Sequence, residues 1–175
     1  MRLPLCLLAA TFCFPLGAAN AAELTVDMHK VTAQGVGASI GTIRLMDDDG
    51  GLKIIANING GLSDGLHGFH VHQNGSCAPA ESGGQMTAAA AAGGHLDPQK
   101  AGKHMGPSGT GHMGDLPVLS VVGGKAMNQV LWAPDLTVAK VRGHALMIHA
   151  GGDNYRDNPS PLGGGGGRVA CGVAK

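Results

Sequence analysis

Apolar and polar positions alternate along most of the chain in runs of strand length, separated by glycine- and asparagine-rich turns. Leu24–Val31 alternates and is followed by Gly35 and Gly37, and Ser39–Leu45 runs into the Asp47–Gly51 turn. Leu52–Ile58 ends at Asn59-Gly60-Gly61, and Gly68–His72 precedes a long glycine-rich stretch to Asp115. Val118–Val122, Asn128–Trp132, Ala145–His149 and Arg168–Val173 complete the set. A period of two over short β-branched runs is the strand signature. Eight such segments, without an amphipathic helix or a fixed repeat, predict an all-β antiparallel sandwich or barrel. Gly35–Gly41 has the look of a dinucleotide fingerprint, but the helix and second strand it needs do not follow, so a hairpin turn is expected. Ala88–Ala92 suits a single helical turn.

Residues 1–21 read as an export signal. Arg2 supplies a basic start, Leu3–Leu16 an apolar stretch too short to span a bilayer, and Ala19-Asn20-Ala21 a small-x-small cleavage site. The remaining 22–175 is expected to form one domain in the periplasm. Removing the leader takes Cys6 and Cys13 with it and leaves Cys77 and Cys171, 94 positions apart. An oxidising compartment would join them, and closing so long a loop is worth up to about 4–5 kcal/mol in the chain-entropy picture.

Composition narrows the function. Twelve Lys and Arg balance twelve Asp and Glu with no basic run, and aromatics are 3%. Neither a nucleic-acid surface nor an anionic-membrane surface is expected.

The histidines carry the chemistry. His70 and His72 flank Val71 in a strand, so alternation puts both imidazoles on one face, half of the tetragonal nitrogen site that copper(II) favours. His149 closes another strand and offers a further ligand. His95, His104, His112 and Asp115 fall within one loop rich in glycine, a set that suits tetrahedral zinc. Read from spacing alone, these remain either a metal site or solvated histidines in a mobile loop.

Four segments carry a resemblance: Gly65–His72 (GLHGFHVH), Gly93–Pro98 (GGHLDP), Gly111–Pro117 (GHMGDLP) and Gly163–Val173 (GGGGGRVACGV). Over residues 24–175 the chain resembles the bacterial exported copper/zinc superoxide dismutases. The resemblance implies an eight-stranded antiparallel Greek-key β-barrel with long metal-binding and channel loops, one copper and one zinc ion per subunit, and superoxide as substrate. It implies His70, His72 and His149 as copper ligands, His95 as the bridge between the metals, and His104, His112 and Asp115 as the other zinc ligands. Asp153 matches a carboxylate that orients a ligand histidine of each metal. Arg168 matches the arginine at the copper channel, His67 a histidine that holds loop backbone, and Cys77–Cys171 the intrachain disulfide.

Two departures stand out. Gln73 replaces a common Glu, and Ala78–Gly94 has no Lys or Arg to help attract an anion, with Lys100 and Lys103 as substitutes. His29 and His144 are expected to be ordinary surface residues, and Met86, Met105 and Met113 to pack rather than bind metal. Trp132 and Tyr155 suit a dimer interface, and the family contains both monomers and homodimers. A periplasmic copper/zinc buffer on the same scaffold is the alternative, needing ligands but no channel arginine. A zinc hydrolase would need an open zinc position, which four protein ligands would close.

Overall fold

The structure, a computed structural model, describes residues 21–175; all of the expected export signal but its last residue, Ala21, lies outside the described residues. Strand β1 (Glu23–Thr32) turns into β2 (Gly35–Asp48), which turns into β3 (Gly51–Ile58). β4 (Gly65–His67) and β5 (Phe69–His72) follow, separated by Gly68, then the small hairpin β6 (Ala80–Ser82) and β7 (Gln85–Thr87). After the long loop come β8 (Leu119–Val121), β9 (Ala126–Ala133), the single-turn helix α1 (Val138–Val141), β10 (Ala145–His149) and β11 (Arg168–Val173).

Every strand pairing is antiparallel. The main sheet runs β5-β10-β11-β1-β2-β3-β9. Its two ends are joined by the β4–β8 ladder, because β4 continues β5 across Gly68 and β8 turns into β9 through the Val122–Lys125 bridge. With β4 and β5 taken as halves of one bent strand, the barrel has eight strands in Greek-key order, the class the sequence predicts.

Alternation explains why these segments close a barrel. In β3, Leu52, Ile54, Ala56 and Ile58 are wholly buried while Lys53, Ile55 and Asn57 are half-exposed. β10 is buried along its whole length, because it lies between β5 and β11 with loops over its outer face. Phe69, Ile43, Leu45, Leu116, Leu119 and Leu146 fill the interior with them.

The sequence reading errs at Gly35–Gly41. The turn is Ala33-Gln34, with Thr32 paired to Gly35, and the glycine-rich stretch is strand. Gly41 sits at φ 140° against the backbone of Asn57 and Ile58, where any Cβ would collide. Close strand approach, not a turn, accounts for glycine there.

Three chain segments far apart in sequence are stitched at one point. Val71 N–H donates to Gly114 O at 2.9 Å, Gly114 N–H donates to Leu96 O at 2.9 Å, and Leu96 N–H donates to Val71 O at 2.8 Å. This closed triangle sits in the interior and leaves no room at Gly114, whose Cβ would meet Val71 O and lie 2.9 Å from Leu96 N. Gly114→Ala should therefore cost about 1–3 kcal/mol by overpacking. Thermal unfolding of the metal-free variant checks this, at about 2–4 °C per kcal/mol; an unchanged Tm would contradict it.

Candidate metal centre

The triangle has a chemical consequence, because the residues beside its corners are His70 and His72, His95, and Asp115. Ladder-like bridges between His70 and Asp115 and between His72 and His95 extend it. β10 pairs with β5 and delivers His149 at its end, where the β10–β11 register shifts between Ile148 and His149. A bulge of this kind re-aims side chains. Here it sets His149 opposite Arg168.

Two groups of donor atoms result. His70, His72, His95 and His149 each offer a nitrogen within 4.8 Å of the others, and so do the donors of His95, His104, His112 and Asp115. His95 belongs to both groups, its ring 4.0 Å from that of His70 and 5.3 Å from that of His112. One further residue, Asp153, links the groups by joining His70 of the first to His104 of the second.

The ring nitrogens divide into tethered and free. Asp153 accepts from His70 Nε2 through Oδ2 and from His104 Nε2 through Oδ1, both at 2.7 Å. His72 Nδ1 donates to Gly93 O at 3.0 Å and His149 Nδ1 to Gly166 O at 3.1 Å. The opposite nitrogens of His72 and His149 face each other at 3.4 Å. His95 Nδ1 donates to Asp115 Oδ1 at 2.9 Å. His70 Nδ1, His95 Nε2, His104 Nδ1 and His112 Nδ1 are buried without a hydrogen-bond partner. The last two approach Asp115 oxygens at 3.0 and 3.4 Å without hydrogen-bond geometry. Buried polar atoms left unpaired are costly. Converging nitrogens of this kind fit metal ions: an all-imidazole set for copper and three imidazoles with a carboxylate for zinc.

Burial sets the protonation states of the metal-free site. Desolvation, reinforced by neighbouring cationic groups, lowers His72 to about 2 and His149 to about 3. It also lowers His70 to about 4 despite the Asp153 hydrogen bond, and His95 moves down as well. Neutral imidazoles are the metal-binding form. His104 goes the other way: burial opposes its charge, but Asp115 and Asp153 outweigh burial and raise it to about 9. Asp115 and Asp153 are held well below the usual carboxylate range, their histidine partners overcoming desolvation.

The other expected residues fall around this core. Arg168 is half-buried and donates from its two terminal nitrogens to Ala89 O and Gly93 O, both at 2.6 Å. Gly93 O thus serves Arg168 and His72 together. His67 is buried and donates through Nδ1 to His149 O at 2.6 Å, with Nε2 2.9 Å from Ser63 O. Cys77 and Cys171 form a disulfide with Cα atoms 5.7 Å apart, tying the loop before β6 to β11. His29 and His144 lie away from the centre, bonded to Gly37 O and Gln73 O. Trp132 is 40% exposed on β9. Tyr155 instead packs its ring on Gly106 and accepts from Val118 N–H at 3.1 Å, so it holds the loop that carries His104.

The carbonyls of Gly93 and Gly166 and the carboxylate of Asp157, which accepts from His104 N–H at 2.9 Å, have no mark in the sequence beyond glycine richness and an Asp-Asn-Pro turn. Backbone partners are invisible to residue patterns.

Fold and site together define an antiparallel β-barrel protein with two candidate metal-binding groups that share one histidine. Residues 39–174 match the family model described as copper/zinc superoxide dismutase. The chain is 55% identical over 158 residues to superoxide dismutase [Cu-Zn] 2 of Salmonella typhimurium, covering 90% of this chain and 91% of that protein. The copper/zinc superoxide dismutase structure from Brucella abortus superposes with a TM-score of 0.85 at 47% identity, covering 88% of this chain and all of that one. The solution structure of the monomeric enzyme from Salmonella enterica superposes with a TM-score of 0.77 at 55% identity, over 88% of this chain and 100% of that one. The chain belongs to the copper/zinc superoxide dismutase family. It converts superoxide to dioxygen and hydrogen peroxide by alternating reduction and oxidation of copper, and carries one copper and one zinc ion per subunit.

The histidine shifts fix the pH response of the metal-free protein. His70, His72 and His149 titrate below the ordinary value of 6.5, so their contribution is complete above 6.5 and lost as pH falls toward 4 and below. His104 titrates above it, so its contribution is complete below 6.5 and lost as pH rises through about 9. The Tm of the metal-free protein should peak near neutrality and fall on both sides. A Tm that climbs steadily to pH 10 would contradict this.

Proposed function

We propose that His70, His72, His95 and His149 hold the copper ion, that His95, His104, His112 and Asp115 hold the zinc ion, and that His95 serves both. The observation that carries this reading is the position of the His95 ring, shared by two converging donor groups. Its Nδ1 turns to Asp115, and its Nε2 is buried without a partner. Bound copper supplies a one-electron couple, reduced by one superoxide and reoxidised by the next, and bound zinc a redox-inert anchor.

The chain's own groups handle the anion and the protons. Peroxide must leave protonated, since its dianion is too basic to persist in water. His95 can hold a proton at Nε2 and pass it on, because its Nδ1 faces the zinc donor group, and zinc bound there would keep the ring in place while Nε2 changes state. Asp153 orients His70 and His104 at once, coupling the two groups through one carboxylate. Arg168 spends two donor nitrogens on the loop carbonyls. A guanidinium has five N–H donors, so others remain for a small anion.

The enzyme works in the bacterial periplasm, exported by a leader over residues 1–21 and folded as one domain over 22–175. The disulfide supports this, since such bonds persist in oxidising compartments. It acts as a monomer or a homodimer, with exposed Trp132 rather than Tyr155 as the aromatic free to meet a second copy.

Superoxide decay after pulse radiolysis tests the site. Protein loaded with copper and zinc should be fast and protein loaded with zinc alone slow; equal slow decay with both metals bound would favour a metal buffer. Arg168→Ala should slow the reaction by about tenfold, the low end of what focusing a charged substrate supplies in general. It should also flatten the dependence on ionic strength. An unaltered salt profile would contradict steering through Arg168.

A further inference from the structure

Five of the six histidines around the two donor groups have a ring that is tethered by a hydrogen bond or set between both groups. His70, His72, His104 and His149 each spend the nitrogen that points away from the centre on Asp153 or a backbone carbonyl, and His95 faces a donor group on each side. His112 differs. Among the described residues no hydrogen bond holds its Nε2; its only bonds are backbone ones, N–H to Lys103 O at 2.9 Å and O from Asp115 N–H at 3.2 Å. Its side chain is 11% exposed, against 0% for His104, 1% for His95 and 0% for Asp115.

Two clefts flank this end of the centre. The first, of about 440 Å³, reaches the His112 ring and is walled by Gly106, Gly111 and Met113, with Asp135 and Lys140 on the far side. Lys140 is exposed and donates to Asp135 O at 2.7 Å, which holds its ammonium at the rim. The second, of about 550 Å³, passes His104 between Lys103 and Arg156. There the His104 ring is fully buried and clamped by Asp153, and its backbone N–H is held by Asp157. A divalent ion approaching by the second cleft meets a closed wall. Through the first it meets a ring that can swing without breaking a side-chain hydrogen bond.

We propose that zinc loads and leaves through the cleft at His112, with His112 as the ligand that opens first and closes last. This rests on the zinc ligand set proposed above. The other three donors stay in place during exchange, because Asp115 and His95 sit beside the backbone triangle and Asp153 fixes His104. The Lys140 charge at the rim opposes a divalent cation and sets the pace of loading. Neither Lys140 nor Asp135 touches the donor groups, so the equilibrium site is independent of them.

The test uses full-length metal-free protein mixed with one equivalent of cobalt(II), followed by the growth of the tetrahedral cobalt bands in stopped flow. Lys140→Glu should accelerate loading by about threefold or more at low ionic strength, and the gain should fade as salt screens it. Arg156→Glu, the matching reversal at the other cleft, should leave the rate close to wild type. Both variants should reach the wild-type final spectrum and Tm. No acceleration by Lys140→Glu, or equal acceleration by Arg156→Glu, would overturn the route. A wild-type final spectrum lacking tetrahedral bands, or one unchanged by Asp115→Asn, would instead overturn the ligand set beneath it, and is separable because it is read at the end point rather than in the rate.

Discussion

The closed triangle of backbone hydrogen bonds among Val71, Leu96 and Gly114 is the constraint on which the centre depends. Metal donors must converge from β5, the loop at His95 and the loop at Asp115, and side chains alone cannot hold such loops against their conformational entropy. Three N–H groups and three carbonyls, paired with one another in the interior, do so without using any donor that a metal needs. Glycine at 114 follows from the closeness of the three segments, not from turn geometry.

Around that frame, burial and charge divide the labour. Desolvation keeps the four imidazoles of the proposed copper group neutral, while two carboxylates lift His104 on the proposed zinc side. Asp153 joins the halves, and Gly93 O joins Arg168 to His72. The cation proposed to meet the substrate and a proposed ligand ring are thereby held by the same peptide. Rigidity is uneven, however: the ring of His112 is the one loosely held member among the donors of the described residues, and that looseness is what exchange of a buried ion requires.

Much of this was legible in the sequence. β10 and β11 have the bounds read from their short apolar runs, and β3, whose one buried face leaves a clear period of two, gains only Gly51. The histidine sets were legible as candidates from spacing and as a shared centre from family resemblance. Gly35–Gly41 was misread because glycine marks both turns and close strand contacts. The β6–β7 hairpin escaped because three-residue strands carry no period, and α1 because a single turn has no amphipathic stripe. The carbonyl partners of Arg168, His72 and His149 lay beyond reach, since every residue has a carbonyl and only the fold decides which one is near. For the same reason the freedom of His112 shows only once the tethers of the other rings are known.

Amide hydrogen exchange in the metal-free protein tests the central claim most directly. If the backbone frame builds the centre before any ion arrives, the amides of Val71, Leu96 and Gly114 exchange as slowly as those of the buried strand β10, with or without copper and zinc. Rapid exchange at these three positions that slows only when metal is added would mean that the ions organise the loops, and would contradict the account.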